Sequence, residues 1–184
     1  MVWVVAAVWV AYTPQREAFE AVRFSHAWAD ALFRGWTWLG HGMVLVLVLG
    51  WVGWRRQQHW RWVLCSVVLF ALTNVLLKRV VFKHSPRPAA YAVEWGVEIR
   101  SPVVLHHWHA MPSGHTGTAF TAATIVALLS RRRGEGILSY LLAAGVGYSR
   151  VYLGQHFPAD VVVGAFIGTV IPLMCYQWKG RKVV

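Results

Sequence analysis

Five apolar runs dominate this chain, at about residues 36–54, 60–77, 115–130, 137–153 and 158–178. Each approaches the roughly 20 helical residues that cross a hydrocarbon core. A chain of 184 residues has no soluble core that could absorb all five. Three of the four segments between them are six residues or shorter and the fourth, 78–114, is a long loop; neighbouring runs are expected to alternate direction. Residues 1–12, "MVWVVAAVWVAY", form a further run that falls short of a full span. They lack the basic n-region of a cleavable leader. Residues 15–34 carry mixed charge, with Phe19, Val22, Ala29 and Phe33 near helical spacing, which predicts an amphipathic helix at the interface. The expected fold is all-α: a polytopic transmembrane bundle of about six helices, the first short, plus the interfacial helix. One domain over residues 1–184 suits this length.

The net charge of +11 would fit nucleic acid if it were spread over one face. Much of it lies instead in short clusters between apolar runs, which is a topology signal. No nucleic-acid partner is inferred; the expected partner is the lipid bilayer. The 55–61 loop, the 131–135 loop and the tail from Lys179 share one side if the helices alternate. They hold nine basic residues against one acid, Glu135. The positive-inside rule places that side in the cytoplasm. The remaining nine basic residues face six acids. Cys65 and Cys175 lie within apolar runs and read as packed, reduced thiols, with neither a disulfide nor a metal inferred. Gly164 and Gly168 form a G-x-x-x-G pair that predicts a close helix contact. Pro158 suits the first turn of the last helix.

Three segments then fall on the outer side: "LLKRVVFKHSPRP" (76–88), "PSGH" (112–115) and "SRVYLGQHFPAD" (149–160). Each joins an apolar helix to an outer loop, so topology gathers them on one face. Lys78, Arg87 and Arg150 bring three cations, and arginine's planar fork suits phosphate oxygens. Ser113 and Gly114 stand where a helix begins, where free N–H groups and the dipole favour an anion. His115 is a titratable group beside that place. Asp160 follows His156 by four residues, a spacing that lets the carboxylate accept from one imidazole nitrogen and leaves the other as a nucleophile. "HHWH", His106 to His109, lacks a zinc spacing and an adjacent carboxylate, so it reads as a polar loop near headgroups.

These motifs resemble those of the type 2 phosphatidic acid phosphatase superfamily, whose pattern runs K-x6-RP, PSGH, SR-x5-H-x3-D. The second and third match in full at 112–115 and 149–160. The first departs, with eight residues between Lys78 and Arg87; Lys83 stands too close to Arg87 to replace Lys78. The resemblance spans about residues 36–178. It implies a metal-free, cofactor-free lipid phosphatase. His156 would attack phosphorus to form a phosphohistidine, and Asp160 would orient and support it. His115 would protonate the leaving oxygen and later help activate water. Lys78, Arg87, Ser113, Gly114 and Arg150 would hold the phosphoryl group. It also implies a membrane lipid phosphate as substrate, at an extracytoplasmic site of the bacterial inner membrane. Undecaprenyl pyrophosphate or a broad lipid range comes first, beside lipid A phosphates, phosphatidylglycerophosphate and phosphatidic acid. The rival readings are a vanadate-dependent haloperoxidase and a non-catalytic lipid-binding or lipid-moving protein.

Overall fold

The computed structural model describes residues 15–20, 26–96, 99 and 106–181. The expected short span at residues 1–12 lies outside them. Eight α-helices appear in the described residues, and no strand. They are α1 (Gln15–Glu20), α2 (Ala27–Trp36), α3 (Met43–Arg55), α4 (Trp60–Leu76), α5 (Ala92–Trp95), α6 (Gly114–Leu129), α7 (Arg133–Tyr152) and α8 (Pro158–Arg181). The expected all-α membrane bundle is the observed one.

α6 is its axis. It packs on α7 and α8, and also on α3 and α4. Every residue from Thr116 to Ile125 is buried, as expected of a helix without a polar face. Small residues make this possible. A Cβ on Gly164 of α8 would stand 2.5 Å from the Ser113 carbonyl oxygen, and one on Gly168 would run into the carbonyl oxygen of Gly117. The glycine pair is thus a backbone-to-backbone seam between α8 and α6. Pro158 opens α8, where its missing N–H costs no helical hydrogen bond.

The membrane reading holds with one difference. With its flanking turns, α4 forms a 25-residue apolar helix over Gln57–Val81, and α8 supplies 22 residues over Pro158–Lys179. Both are long enough to cross a bilayer. The run at 36–54 is not one straight helix. α2 continues through a 3-10 turn at Thr37–Gly40, and the chain bends by 50° before α3. His41 and Gly42, between the two pieces, lie outside both helices. The expected helix at 15–34 comprises α1 and α2, and residues 21–25 between them are not among those described. α6, with 16 residues, is shorter than a full span. Exposed apolar side chains such as Val46, Leu47, Leu72, Leu141 and Phe166 cover the outside of the bundle, as lipid-facing surfaces require. Exposed Trp54, Trp60 and Trp178 stand at the end rich in arginine and lysine. There Cys65 and Cys175 approach to 3.9 Å between sulfurs as free thiols.

Candidate active site

At the other end, the chain turns between helices build a cavity of about 500 Å3. Lys78, Arg87, Gly114, His115, Arg150 and His156 all line it. Six residues from three distant segments therefore converge there, whereas Ser113 and Asp160 stand behind the wall.

The first segment arrives through an irregular helix end. α4 finishes in a π turn, Leu77–Val81, which carries Lys78. A widened turn takes up extra residues within a helix, and it lies within the segment that is two residues longer than the family pattern. Lys78 Nζ would stand 3.8 Å from a Cβ on Gly114, so the ammonium group lies over the start of α6. Lys83 is exposed and does not line the cavity.

Arg87 is clamped by neutral oxygens. Its Nε donates to the Trp108 carbonyl at 3.1 Å, and its Nη1 to the Gln155 carbonyl and side-chain oxygen at 3.3 and 3.4 Å. Its Nη2 reaches the His109 carbonyl at 3.5 Å, and its backbone N–H donates to the His107 carbonyl. The "HHWH" loop thus serves Arg87 through its backbone, while His106 lines the cavity. Arg150, 8% exposed, donates from Nη1 to Thr37 Oγ1 at 2.7 Å, and its Nε has no partner. Among the described residues, no carboxylate comes within ion-pair distance of Lys78, Arg87 or Arg150. Three cations facing one cavity without an ion-pair partner are costly unless an anion enters.

His156 occupies the turn between α7 and α8. Gly154, at φ 69°, adopts the left-handed conformation there, and Arg150's carbonyl accepts from the N–H groups of Gln155 and His156. His156 is 2% exposed. Its Nδ1 lies 3.3 Å from Asp160 Oδ2, the long end of a hydrogen bond, and that oxygen also accepts from Phe157 N–H at 3.0 Å. Nε2 is therefore the nitrogen left for chemistry. Burial, then the positive charge of Arg87, Arg150 and Lys78, pushes the His156 imidazole well below its usual range. It stands neutral, as a nucleophile must.

Ser113 and Asp160 are linked to one another rather than to the cavity. Ser113 N–H donates to the Asp160 carbonyl at 2.9 Å, across the seam between α6 and α8. The Ser113 hydroxyl pairs with Thr116 Oγ1 at 2.9 Å. Its side chain is buried and engaged with Thr116, and Ser113 is not among the residues that line the cavity. His115, on the first turn of α6, meets His41 edge to face, with 6.4 Å between ring centroids.

Several lining residues escape motif reading. Arg34, Thr37, Trp38 and His41 form a wall contributed by the end of α2 and its 3-10 turn. Gly40 lets this wall close, since a Cβ there would lie 2.8 Å from His115 Cβ. The available signal was two polar residues, Thr37 and His41, interrupting an apolar run. Gln155 precedes His156 and holds Arg87, and Asn74, one turn before Lys78, brings its Nδ2 towards Gly114 while its Oδ1 is buried without a partner.

Residues 59–183 match the PAP2 superfamily. A lipid A 4'-phosphatase of Bacteroides thetaiotaomicron is 33% identical over 121 residues, which cover 61% of this chain and 53% of that protein. A decaprenylphosphoryl-5-phosphoribose phosphatase of Mycobacterium tuberculosis is 30% identical over 131 residues, covering 71% and 67%. The chain thus spans about half to two thirds of the length of these relatives. The crystal structure of Aquifex aeolicus LpxE superposes with a TM-score of 0.76 at 30% identity, over 88% of this chain and 93% of that one. A transmembrane PAP2-type phosphatidylglycerolphosphate phosphatase from Bacillus subtilis shares the fold at a TM-score of 0.65 and 23% identity, over 98% and 93%.

Proposed function

The chain belongs to the PAP2 superfamily, and we propose that it is an integral-membrane lipid phosphatase working through a phosphohistidine, with residues 1–184 as one catalytic domain. The observation that carries this reading is a buried, neutral His156 held by the Asp160 carboxylate and facing three cations that have no carboxylate in ion-pair contact among the described residues.

The phosphoryl group of the substrate enters among Lys78, Arg87 and Arg150, with the N–H groups at the head of α6 beside it. His156 Nε2 attacks phosphorus, and the bond from phosphorus to the leaving oxygen breaks. Asp160 holds Nδ1 and offsets the charge that develops on the imidazole. His115 gives a proton to the leaving oxygen. Water then attacks phosphorus, His115 accepts its proton, and the N–P bond breaks to release inorganic phosphate and neutral His156. The cations act most strongly on the trigonal-bipyramidal state, where charge is greatest. Ser113 contributes by fixing the head of α6 against the backbone of Asp160.

The substrate is a membrane lipid carrying a phosphomonoester or diphosphate. Named relatives acting on lipid A and on a decaprenyl-linked phosphate support that class. Undecaprenyl pyrophosphate, phosphatidylglycerophosphate, phosphatidic acid and lipid A phosphates form the test panel. Purified protein in mixed micelles should release phosphate from at least one of them. Vanadate should compete with substrate because its five-coordinate form resembles the transition state, and EDTA should leave the rate unchanged. No phosphate from any panel member overturns the reading, and loss to EDTA restored by a divalent ion overturns its metal-free mechanism.

The same reading sets the cavity on the extracytoplasmic face of the inner membrane, because the opposite end carries the basic loops. In a protein with Cys65 and Cys175 changed to alanine, a cysteine placed at Pro102 should react with an impermeant thiol reagent in intact spheroplasts. One placed at Gly134 should react only after lysis. The reverse pattern would move the site to the cytoplasmic face.

A further inference from the structure

A second cavity, of about 480 Å3, opens at the end of the bundle remote from His156. Arg61, Lys179 and Gln58 supply its polar lining beside Trp62 and Trp178, and among the described residues no carboxylate lines it. Lys179 Nζ donates to His59 Nδ1 at 2.9 Å, so that imidazole is neutral and its other nitrogen is a donor. Trp62 is 5% exposed, and its indole N–H is buried without a partner. A lining that brings Arg61, Lys179 and Gln58 together and, among the described residues, holds no carboxylate suits a ligand that only accepts hydrogen bonds. Phosphate oxygens are such acceptors, and a cationic wall suits their charge.

The surroundings identify where the phosphate comes from. Trp60 and Trp178 are 47% and 58% exposed beside the cavity, and the outer face of α4 continues as exposed Leu69, Leu72 and Leu76. Amphipathic rings followed by an apolar face mark headgroup depth and the acyl region below it. Arg61 precedes Lys78 along α4 by seventeen residues, or roughly 25 Å of helix, so the two cavities open towards opposite leaflets. We propose that this second cavity binds the phosphodiester headgroup of an anionic membrane phospholipid in the leaflet opposite the active site. The lipid would sit between α4 and α8 and hold their ends together.

Cys65 and Cys175 line this cavity and are the only cysteines in the sequence, so their reactivity reports its occupancy. The rate of modification by a small, uncharged thiol reagent is measured in nanodiscs. Replacing part of the phosphatidylcholine with phosphatidylglycerol should slow modification by about threefold or more, as occupancy by mass action predicts. Inorganic phosphate added to phosphatidylcholine nanodiscs should leave the rate unchanged. Arg61→Gln should abolish the difference between the two lipids. Equal rates for wild type in both lipids would overturn the proposal. Equal slowing by inorganic phosphate would overturn the lipid assignment in favour of a soluble anion. Slowing that persists in Arg61→Gln would reduce the effect to bilayer charge and overturn the site. Where Arg61→Gln changes the rate in phosphatidylcholine alone, Lys179→Gln is the second variant, with the same expectation. Neither residue belongs to the catalytic cavity, so failure here leaves the phosphatase reading standing.

Discussion

His156→Ala is expected to lose turnover by on the order of 10^4-fold or more, the scale seen when a catalytic nucleophile is deleted. The imidazole is the group with a free nitrogen placed between a carboxylate and three cations. Removing it leaves the cations able to hold phosphate with nothing to attack it, so lipid phosphate should still bind and compete with vanadate. Because His156 is fully packed, the alanine variant also leaves a cavity. His156→Gln restores most of the volume without the nucleophile and should be equally inactive. Circular dichroism and detergent-extracted monodispersity establish that both fold. Turnover within tenfold of wild type in either would remove His156 from the mechanism. In the active enzyme, the lowered basicity of His156 keeps it unprotonated below about pH 6.5, the ordinary imidazole midpoint. The acid limb of kcat/KM assigned to this group should accordingly lie below that value.

The second large effect is at Asp160. One oxygen, Oδ2, accepts both from His156 Nδ1 and from Phe157 N–H. Asparagine can place its carbonyl oxygen at the same point, so the turn should survive Asp160→Asn. What disappears is the negative charge that supports the imidazole as it becomes cationic. A loss of about 10^3–10^4-fold in kcat is expected, with little change in KM. A fall of less than tenfold would reduce Asp160 to a helix-end charge that favours the dipole.

Much of this site was legible in the chain because its parts occupy helix ends. "PSGH" and "SRVYLGQHFPAD" place polar groups where apolar runs stop, and alternation of the runs brings those stops to one face. Lys78 could be preferred to Lys83 for the same reason, and it is Lys78 that lines the cavity. The wall formed by Thr37, Trp38 and His41 was not legible as part of the site. It meets Arg150 across 113 residues of sequence through one hydrogen bond, and no spacing rule connects the two. The bend in the 36–54 run was hidden too, since apolar content records burial in lipid or protein but not helix direction. Ser113 shows a further limit. Sequence places a hydroxyl at the head of α6, but only packing decides that it turns inward to Thr116.

The glycine seam between α6 and α8 has a consequence for how such a molecule can diversify. Ser113, at the head of one helix, and Asp160, at the head of the other, are held in register by backbone atoms in direct contact. No side-chain layer lies between them to be remodelled. The groups to which the proposed function assigns the chemistry therefore ride on a stiff keel, while the wall from Arg34 to His41 belongs to a separate, bent piece of chain. Substitutions at Arg34 or Trp38 can reshape that wall, whereas Thr37, which holds Arg150, and Gly40 and His41, which lie against His115, tie part of it to the site. On the proposed function, the spacing of the chemistry rests on the seam, and lipid selectivity has most room to drift at Arg34 and Trp38, the wall positions outside those contacts.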